Sequence, residues 1–171
     1  MNDLLETVKA VLSTTTTRWS SLTESLPQDL LARNPLPKEW SAMDCLCHLL
    51  DTERWIFPKR VQALLLGENF VAFDPDKQGT HYTTQDPKQL SEEFAHLRKR
   101  SLIELDKVTL DDLSRTAEHS ELGIVTLEEL LNEWAAHDLM HTVQAERAIM
   151  QPFILGSGPW RLYFKDHDVS G

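Results

Sequence analysis

Residues 126–150 read TLEELLNEWAAHDLMHTVQAERAIM, which is the pattern of a long amphipathic helix. Thr126 and Glu129 have the spacing of a capping box, in which each side chain accepts a hydrogen bond from the backbone N–H of the other residue. The apolar side of this helix consists of Leu127, Leu130, Leu131, Trp134, Ala145, Ala148 and Ile149. The sequence therefore predicts a helix that begins after Thr126 and ends near Met150.

Three earlier segments also carry apolar residues at helical spacing, and proline or glycine marks their ends. The predicted helices run from about Asn2 to Leu26, from Ser41 to Gly67 with an interruption at Pro58, and from Asp86 to about Val108. A long loop is predicted at 68–85 between helices two and three, and an irregular segment at 111–125 before helix four. No strand pattern stands out. The sequence thus predicts an all-α protein, a four-helix bundle in one domain that spans residues 1–171.

Composition excludes several classes of partner. The chain has 171 residues and a formal net charge of −10, which disfavours binding to nucleic acid or to an anionic membrane. Its only dense basic run, Arg98-Lys99-Arg100, is predicted to be a solvated face of helix three. The acidic start Met1-Asn2-Asp3 does not resemble a signal peptide, and no apolar run could span a bilayer. We therefore expect a cytoplasmic protein.

The strongest chemical signal is a pair of histidines in helix four. His137 and His141 are four residues apart, so their imidazoles lie on one face of the helix. His48 lies on the apolar helix two, among leucines, and can supply a third ring. Three imidazoles on two facing helices would leave part of a metal's coordination sphere open, as a catalytic site requires. The sequence predicts one mononuclear metal site at these three residues.

Four polar residues lie one helical turn from the histidines and can orient them. Asp44 and Asp51 flank His48, and Glu133 and Gln144 flank the pair in helix four. Metal-bound imidazoles usually donate their other N–H to such groups. Asp44 has a second candidate role, because it lies three residues after Ser41 at the start of helix two and can complete a capping box there. The alternative is that all four are solvated residues at the edge of the apolar stripe.

Several motifs carry a resemblance to a known family. They are Leu36-Pro37-Lys38-Glu39-Trp40-Ser41 with Cys47-His48-Leu49, EHSELGIVTL at 118–127, WAAHDLMH at 134–141 with Gln144, and Gly158-Pro159-Trp160. Their order along the chain resembles the DinB/YfiT-like superfamily, which includes metal-dependent enzymes. The resemblance extends over nearly the whole chain.

That resemblance implies a fold, a site and a chemistry. The fold would be a four-helix bundle that is often a homodimer, with one divalent metal on His48, His137 and His141. The metal in such proteins is commonly zinc or nickel, and sometimes iron or manganese. Characterised relatives include maleylpyruvate isomerases that use mycothiol and S-transferases that use bacillithiol. The resemblance therefore implies a metal-dependent transferase that acts on a small-molecule substrate with a low-molecular-weight thiol as cosubstrate.

Other functions remain open at this point. The metal could activate water for hydrolysis. His119 is a candidate acid–base residue of the site, and the alternative is that it caps or stabilises a turn in its own loop. A non-catalytic, stress-related metal-binding protein would need a closed coordination sphere, with His81 or His119 as the fourth ligand. A metal-free dimeric interaction module would keep the three histidines as core residues. The sequence also leaves open whether Asp51 or Glu53 coordinates the metal, and Arg54, Arg147 and Arg161 are weak candidates for holding an anionic substrate.

Overall fold

The computed structural model describes residues 4–72 and 86–169 of the chain. Its α-helices are α1 (Leu4–Ser25), α2 (Gln28–Leu31), α3 (Ala42–Trp55), α4 (Phe57–Leu66), α5 (Pro87–Leu105) and α6 (Leu127–Gly156). Two 3₁₀ helices span Leu110–Ser114 and Gly158–Phe164, and two short strands are β1 (Thr116–His119) and β2 (Gly123–Thr126).

The long helices α1, α3, α5 and α6 form a four-helix bundle, as predicted. Helix α1 packs on α5 and α6, and α3 packs on the same two helices. The second predicted helix is divided at Ile56 into α3 and α4, with Pro58 in the first turn of α4. Within the described residues, no helix is both long enough and apolar enough to cross a membrane.

Both predicted capping boxes are present in the structure. The Ser41 hydroxyl accepts from the Asp44 N–H at 3.1 Å, and the Asp44 carboxylate accepts from the Ser41 N–H at 2.8 Å. At the start of α6, the backbone N–H of Thr126 donates to Glu129 Oε2 at 2.7 Å, and the Glu129 N–H donates to the Thr126 hydroxyl at 3.1 Å. These caps fix the first turns of the two helices that carry the candidate histidines.

The core consists of two apolar clusters. One contains Leu12, Phe57, Leu64, Leu131 and Trp134, and the other contains Trp19, Leu46, Leu50, Leu90 and Phe94. The Arg98 guanidinium contacts both clusters, at 4.9 Å from the Phe94 ring centroid and 5.4 Å from that of Trp134. Arg98 is only 1% exposed, so the prediction that it belongs to a solvated face is wrong.

The connections differ from the prediction in three places. The segment predicted to be irregular folds into a 3₁₀ helix and an antiparallel hairpin in which Ala117 pairs with Val125. Gly123 begins the returning strand with φ at 76°, a left-handed conformation that glycine adopts without strain. The connection after α1 contains the short helix α2, and α6 continues past Pro152 to Gly156. Most of the predicted loop at 68–85, including His81, lies outside the described residues.

Candidate metal centre

The fold brings the three predicted histidines together. His48 lies in the middle of α3, and His137 and His141 lie on the side of α6 that packs on α3. The Nε2 atoms of His48 and His137 are 3.0 Å apart, and one ring nitrogen from each of the three residues lies within 4.8 Å of the others. Two nitrogens bound to the same tetrahedral zinc ion at about 2.1 Å would be about 3.4 Å apart. The donor atoms therefore have a spacing that suits one ion.

Burial keeps these imidazoles neutral. Burial, followed by the neighbouring His141, lowers the pKa of His48 from 6.5 to about 4, while the Asp51 carboxylate opposes the shift. Burial, followed by the other two histidines, lowers the pKa of His137 from 6.5 to about 3. The pKa of His141 is also lowered, chiefly by burial. Neutral imidazoles offer the lone pairs that a transition metal binds, so no proton has to be displaced near pH 7.

Gln144 has the position that was predicted for it. His141 Nδ1 and Gln144 Oε1 are 2.9 Å apart, and since an amide oxygen can only accept, Nδ1 carries the proton. His141 Nε2 is then left with its lone pair. In contrast, His137 Nδ1 is buried and has no hydrogen-bond partner among the described residues. On the other side of the ring, His137 Nε2 lies 3.0 Å from His48 Nε2.

The acidic residues considered as partners or ligands at the histidines differ in their contacts. Asp44 Oδ2 accepts from Ser41 at the cap and from the Asn34 amide at 3.1 Å, so this residue serves the start of α3. Asp51 is buried, and its charge acts on His48. Glu53 turns away from the histidines, because its carboxylate accepts from Arg98 Nε at 2.9 Å. Glu53 is thus engaged in a buried ion pair, which argues against metal coordination by this residue.

A cavity of about 640 Å³ opens beside the histidines, and His48 and His137 form part of its wall. The apolar part of the wall consists of Ile56, Phe57, Phe70, Ala72, Leu122, Ile124, Val125 and Leu130. The polar part includes Arg60, His119 and Glu133. This volume and this mixture of linings are typical of a site for a small organic molecule.

Glu133 lines this cavity, and within the described residues no hydrogen bond links it to an imidazole. Its Oε2 lies 3.9 Å from Arg60 Nη1. Partial burial raises the pKa of Glu133, although the charges of Arg60 and His119 oppose the shift. His119 lies in the same wall, and its described ring contact is with Phe70 rather than with the three histidines. Arg60 was not predicted as a site residue, because nothing in the local sequence pattern shows that its side chain lines a cavity.

The three arginines that were considered for anion binding have other partners. Arg54 pairs with Glu93. Arg147 donates to the backbone carbonyl of His167 at 3.0 Å, and Arg161 donates to Asp168 Oδ2. None of these three arginines lines the cavity beside the histidines.

Trp40 covers the histidines on another side. Its ring stacks on His141 with centroids 5.5 Å apart and planes inclined by 19°, and it lies 5.1 Å from the His48 ring. Phe57 contacts the remaining ring, His137, at 5.1 Å. Two aromatic side chains therefore enclose the nitrogen cluster, which limits the access of water to it.

Comparisons with known proteins agree with this architecture. A family model of the DinB superfamily matches residues 12–145. No curated protein matches the chain at a significant level. Among solved structures, YfiT from Bacillus subtilis is similar with a TM-score of 0.75 at 18% identity, over 90% of this chain and 89% of that chain. It is described as "a probable metal-dependent hydrolase with an unusual four-helix bundle topology". At 18% identity, this structural similarity shows the fold alone.

Proposed function

Because the chain belongs to the DinB superfamily, we propose that His48, His137 and His141 together bind one divalent transition metal. The observation that carries this proposal is the grouping of one ring nitrogen from each histidine within 4.8 Å, beside a cavity of small-molecule size. Imidazole donors suit zinc, nickel and iron, whereas magnesium and calcium prefer oxygen. Zinc or nickel is our first choice, and iron or manganese the second.

We further propose that the protein is a metal-dependent transferase that uses a low-molecular-weight thiol. A bound divalent ion supplies Lewis-acid chemistry, which lowers the pKa of a thiol or water molecule that binds beside it. The cavity of about 640 Å³ has room for the reacting parts of both a thiol and an electrophile. We expect the protein to act as a homodimer, by analogy with the family.

Glu133 is the residue best placed to receive the proton that the nucleophile loses. It lines the same cavity as His48 and His137, and its partial burial raises the pKa of the carboxyl group. A carboxylate with a raised pKa is a stronger base than one in water, and such shifts are common at catalytic sites. The positive charge of the neighbouring Arg60 opposes this rise in the pKa of Glu133. We therefore assign Glu133 the role of general base.

Hydrolysis is the second candidate, and the same carboxylate favours it. Glu133 can accept a proton from water as readily as from a thiol, so the position of the base does not distinguish the two nucleophiles. The description of YfiT as a probable metal-dependent hydrolase also favours this alternative. The two reactions differ in whether the product carries the thiol.

Metal content measured by elemental mass spectrometry on tag-free protein tests the first step. We expect about one equivalent of zinc or nickel in the parent, and its loss in His48→Ala and His137→Ala. His96→Ala is the matched control, because His96 is exposed on α5 and should leave the metal content unchanged. A parent that binds neither zinc, nickel, iron nor manganese would overturn the proposal and favour a non-catalytic interaction protein.

The metal-loaded protein is then assayed with a thiol and an electrophile such as monochlorobimane. Formation of the thioether adduct, lost in Glu133→Gln, supports the transferase. Release of product without consumption of thiol, from ester or amide substrates, would identify the hydrolase instead. Metal binding without either reaction would favour the stress-related metal-binding function.

A further inference from the structure

Phe70 contacts two polar side chains of the cavity wall, Arg60 and His119. Its backbone pairs with the hairpin, since its N–H donates to the Glu118 carbonyl and its carbonyl accepts from the Ser120 N–H, both at 3.1 Å. The Arg60 guanidinium lies over the Phe70 ring, 5.4 Å from its centroid. The His119 ring meets the same aromatic ring edge to face, with centroids 5.5 Å apart and planes at 84°. Arg60 and His119 therefore contact one shared ring in the cavity wall.

The backbone fixes which nitrogen of His119 carries the proton. His119 Nδ1 accepts hydrogen bonds from the backbone N–H groups of Glu121 at 3.1 Å and Leu122 at 3.3 Å. Since a backbone N–H can only donate, Nδ1 holds the lone pair, and the neutral ring has its hydrogen on Nε2. No residue that the structure describes accepts a hydrogen bond from this Nε2. His119 is thus a fixed donor rather than a base.

Arg60 is a partly buried cation whose charge is only weakly compensated by its neighbours. Its side chain is 12% exposed, and its Nη2 reaches the Val71 carbonyl only at 3.4 Å. Its distance of 3.9 Å from Glu133 is too long for a hydrogen bond. Burial accordingly lowers the pKa of Arg60, which means that the charge gains less from its neighbours than it loses from water. A planar guanidinium in this state can bind a carboxylate through two parallel hydrogen bonds.

We propose that Arg60 and His119 form a subsite for a carboxylate group of the substrate. The apolar wall would take the carbon skeleton, and the reacting atom would lie near His48 and His137. This inference rests on the proposed function only in taking the cavity as the active site. A carboxylate is favoured over a phosphate, because every additional negative charge on the ligand would face Glu121, Glu129 and Glu133 in the same cavity wall.

The test compares a carboxylate with its neutral analogue on metal-free protein. The probes are 4-phenylbutyrate and 4-phenylbutan-1-ol, and binding is measured by isothermal titration calorimetry. We expect the carboxylate to bind at least tenfold more tightly to the parent, and Arg60→Gln to abolish this preference. Glu133→Gln should strengthen carboxylate binding severalfold, because it removes a competing negative charge. Arg54→Gln is the control, since Arg54 pairs with Glu93 away from the cavity.

His119 is tested by two variants with the same probes. His119→Phe removes the Nε2 donor and should weaken carboxylate binding severalfold, while His119→Gln retains an N–H donor and should recover part of it. Circular dichroism before each titration separates misfolding from loss of the donor.

Three results would overturn the inference. The first is that the parent binds the two probes equally well. The same conclusion applies if neither probe binds detectably at concentrations up to about 10 mM. The second is a carboxylate preference that appears only after zinc is added and survives Arg60→Gln, because the metal would then hold the carboxylate. The third is tighter binding of phenyl phosphate than of 4-phenylbutyrate. Metal content is measured separately, so failure of the metal site and failure of the carboxylate subsite are distinguishable.

Discussion

Arg98 donates hydrogen bonds to both carboxylate oxygens of Asp138, at 2.6 Å and 3.1 Å. Asp138 directly follows His137 in α6, and both partners are 1% exposed. The same guanidinium donates to Glu53 on α3 at 2.9 Å and to the Leu12 carbonyl on α1 at 2.8 Å. Arg98 thus links all four helices of the bundle and sets α3 against α6, the two helices that carry the histidines.

Replacing Arg98 should therefore destabilise the protein strongly. In Arg98→Met, Glu53 and Asp138 would be buried without their counter-charge, which costs about 3–5 kcal/mol for a buried pair that loses one partner. Urea unfolding monitored by circular dichroism measures this change. The matched control is Arg98→Met combined with Glu53→Gln and Asp138→Asn, which removes both charges and should regain most of the stability. A single variant within about 1 kcal/mol of the parent would show that the network contributes little.

Gln144 should tune metal affinity without holding the metal itself. Gln144→Leu removes the acceptor for His141 Nδ1–H, which frees the ring to turn and lets it change tautomer. We expect zinc affinity to fall by about 10- to 100-fold, as measured by competition with a chromophoric chelator. Gln144→Glu keeps an acceptor in place and should retain the affinity. Equal affinities for the leucine variant and the parent would contradict this role.

Local patterns predicted the parts of the structure that depend on residues near in sequence. The four long helices follow from apolar spacing, and the starts of α3 and α6 follow from Ser41 with Asp44 and from Thr126 with Glu129. The hairpin was missed because strands of four residues are too short to show an alternating pattern. The helical spacing of His137 and His141 was likewise enough to place them on one face.

The ion-pair network around Arg98 and the polar wall of the cavity depend on residues that are distant in sequence. Arg98 was interpreted as exposed because it begins a basic run, whereas its partners Glu53 and Asp138 are 45 and 40 residues away. Likewise, Arg60 and His119 line one cavity and both contact Phe70, which the bridge between Phe70 and the hairpin holds in place. Neither arrangement leaves a periodic signal in the sequence, so the ion-pair network and the polar cavity wall required the three-dimensional structure.

The metal-free protein should lose stability as the pH falls below about 6.5. The fold lowers the pKa of His48 from 6.5 to about 4 and that of His137 from 6.5 to about 3. Between these values and 6.5 the unfolded chain binds more protons than the folded protein, so protonation favours unfolding. Stability is therefore complete above pH 6.5 and declines toward pH 4. Urea unfolding at several pH values between about 7 and 4.5 measures the slope.

A histidine variant separates this effect from general acid denaturation. His137→Leu removes one of the two strongly shifted groups and should flatten the slope between pH 6.5 and 4. His96→Gln removes an exposed imidazole and should leave the slope as in the parent. Identical slopes for the parent and His137→Leu would contradict the assignment of the pH dependence to these buried rings.

Trp40 should strengthen metal binding by covering the histidines. Its ring stacks on His141 at 5.5 Å and 19°, although the residue itself is 38% exposed. Stacked aromatic pairs contribute about 0.5–1.5 kcal/mol, so Trp40→Ala should lower zinc affinity by about two- to tenfold. Trp40→Phe keeps an aromatic ring and should recover much of this loss. Trp160→Ala, at a residue of the C-terminal 3₁₀ helix that is 65% exposed, is the control and should have no effect. Chelator competition at constant pH measures all four proteins, and unchanged affinity in Trp40→Ala would show that the stacking does not support the site.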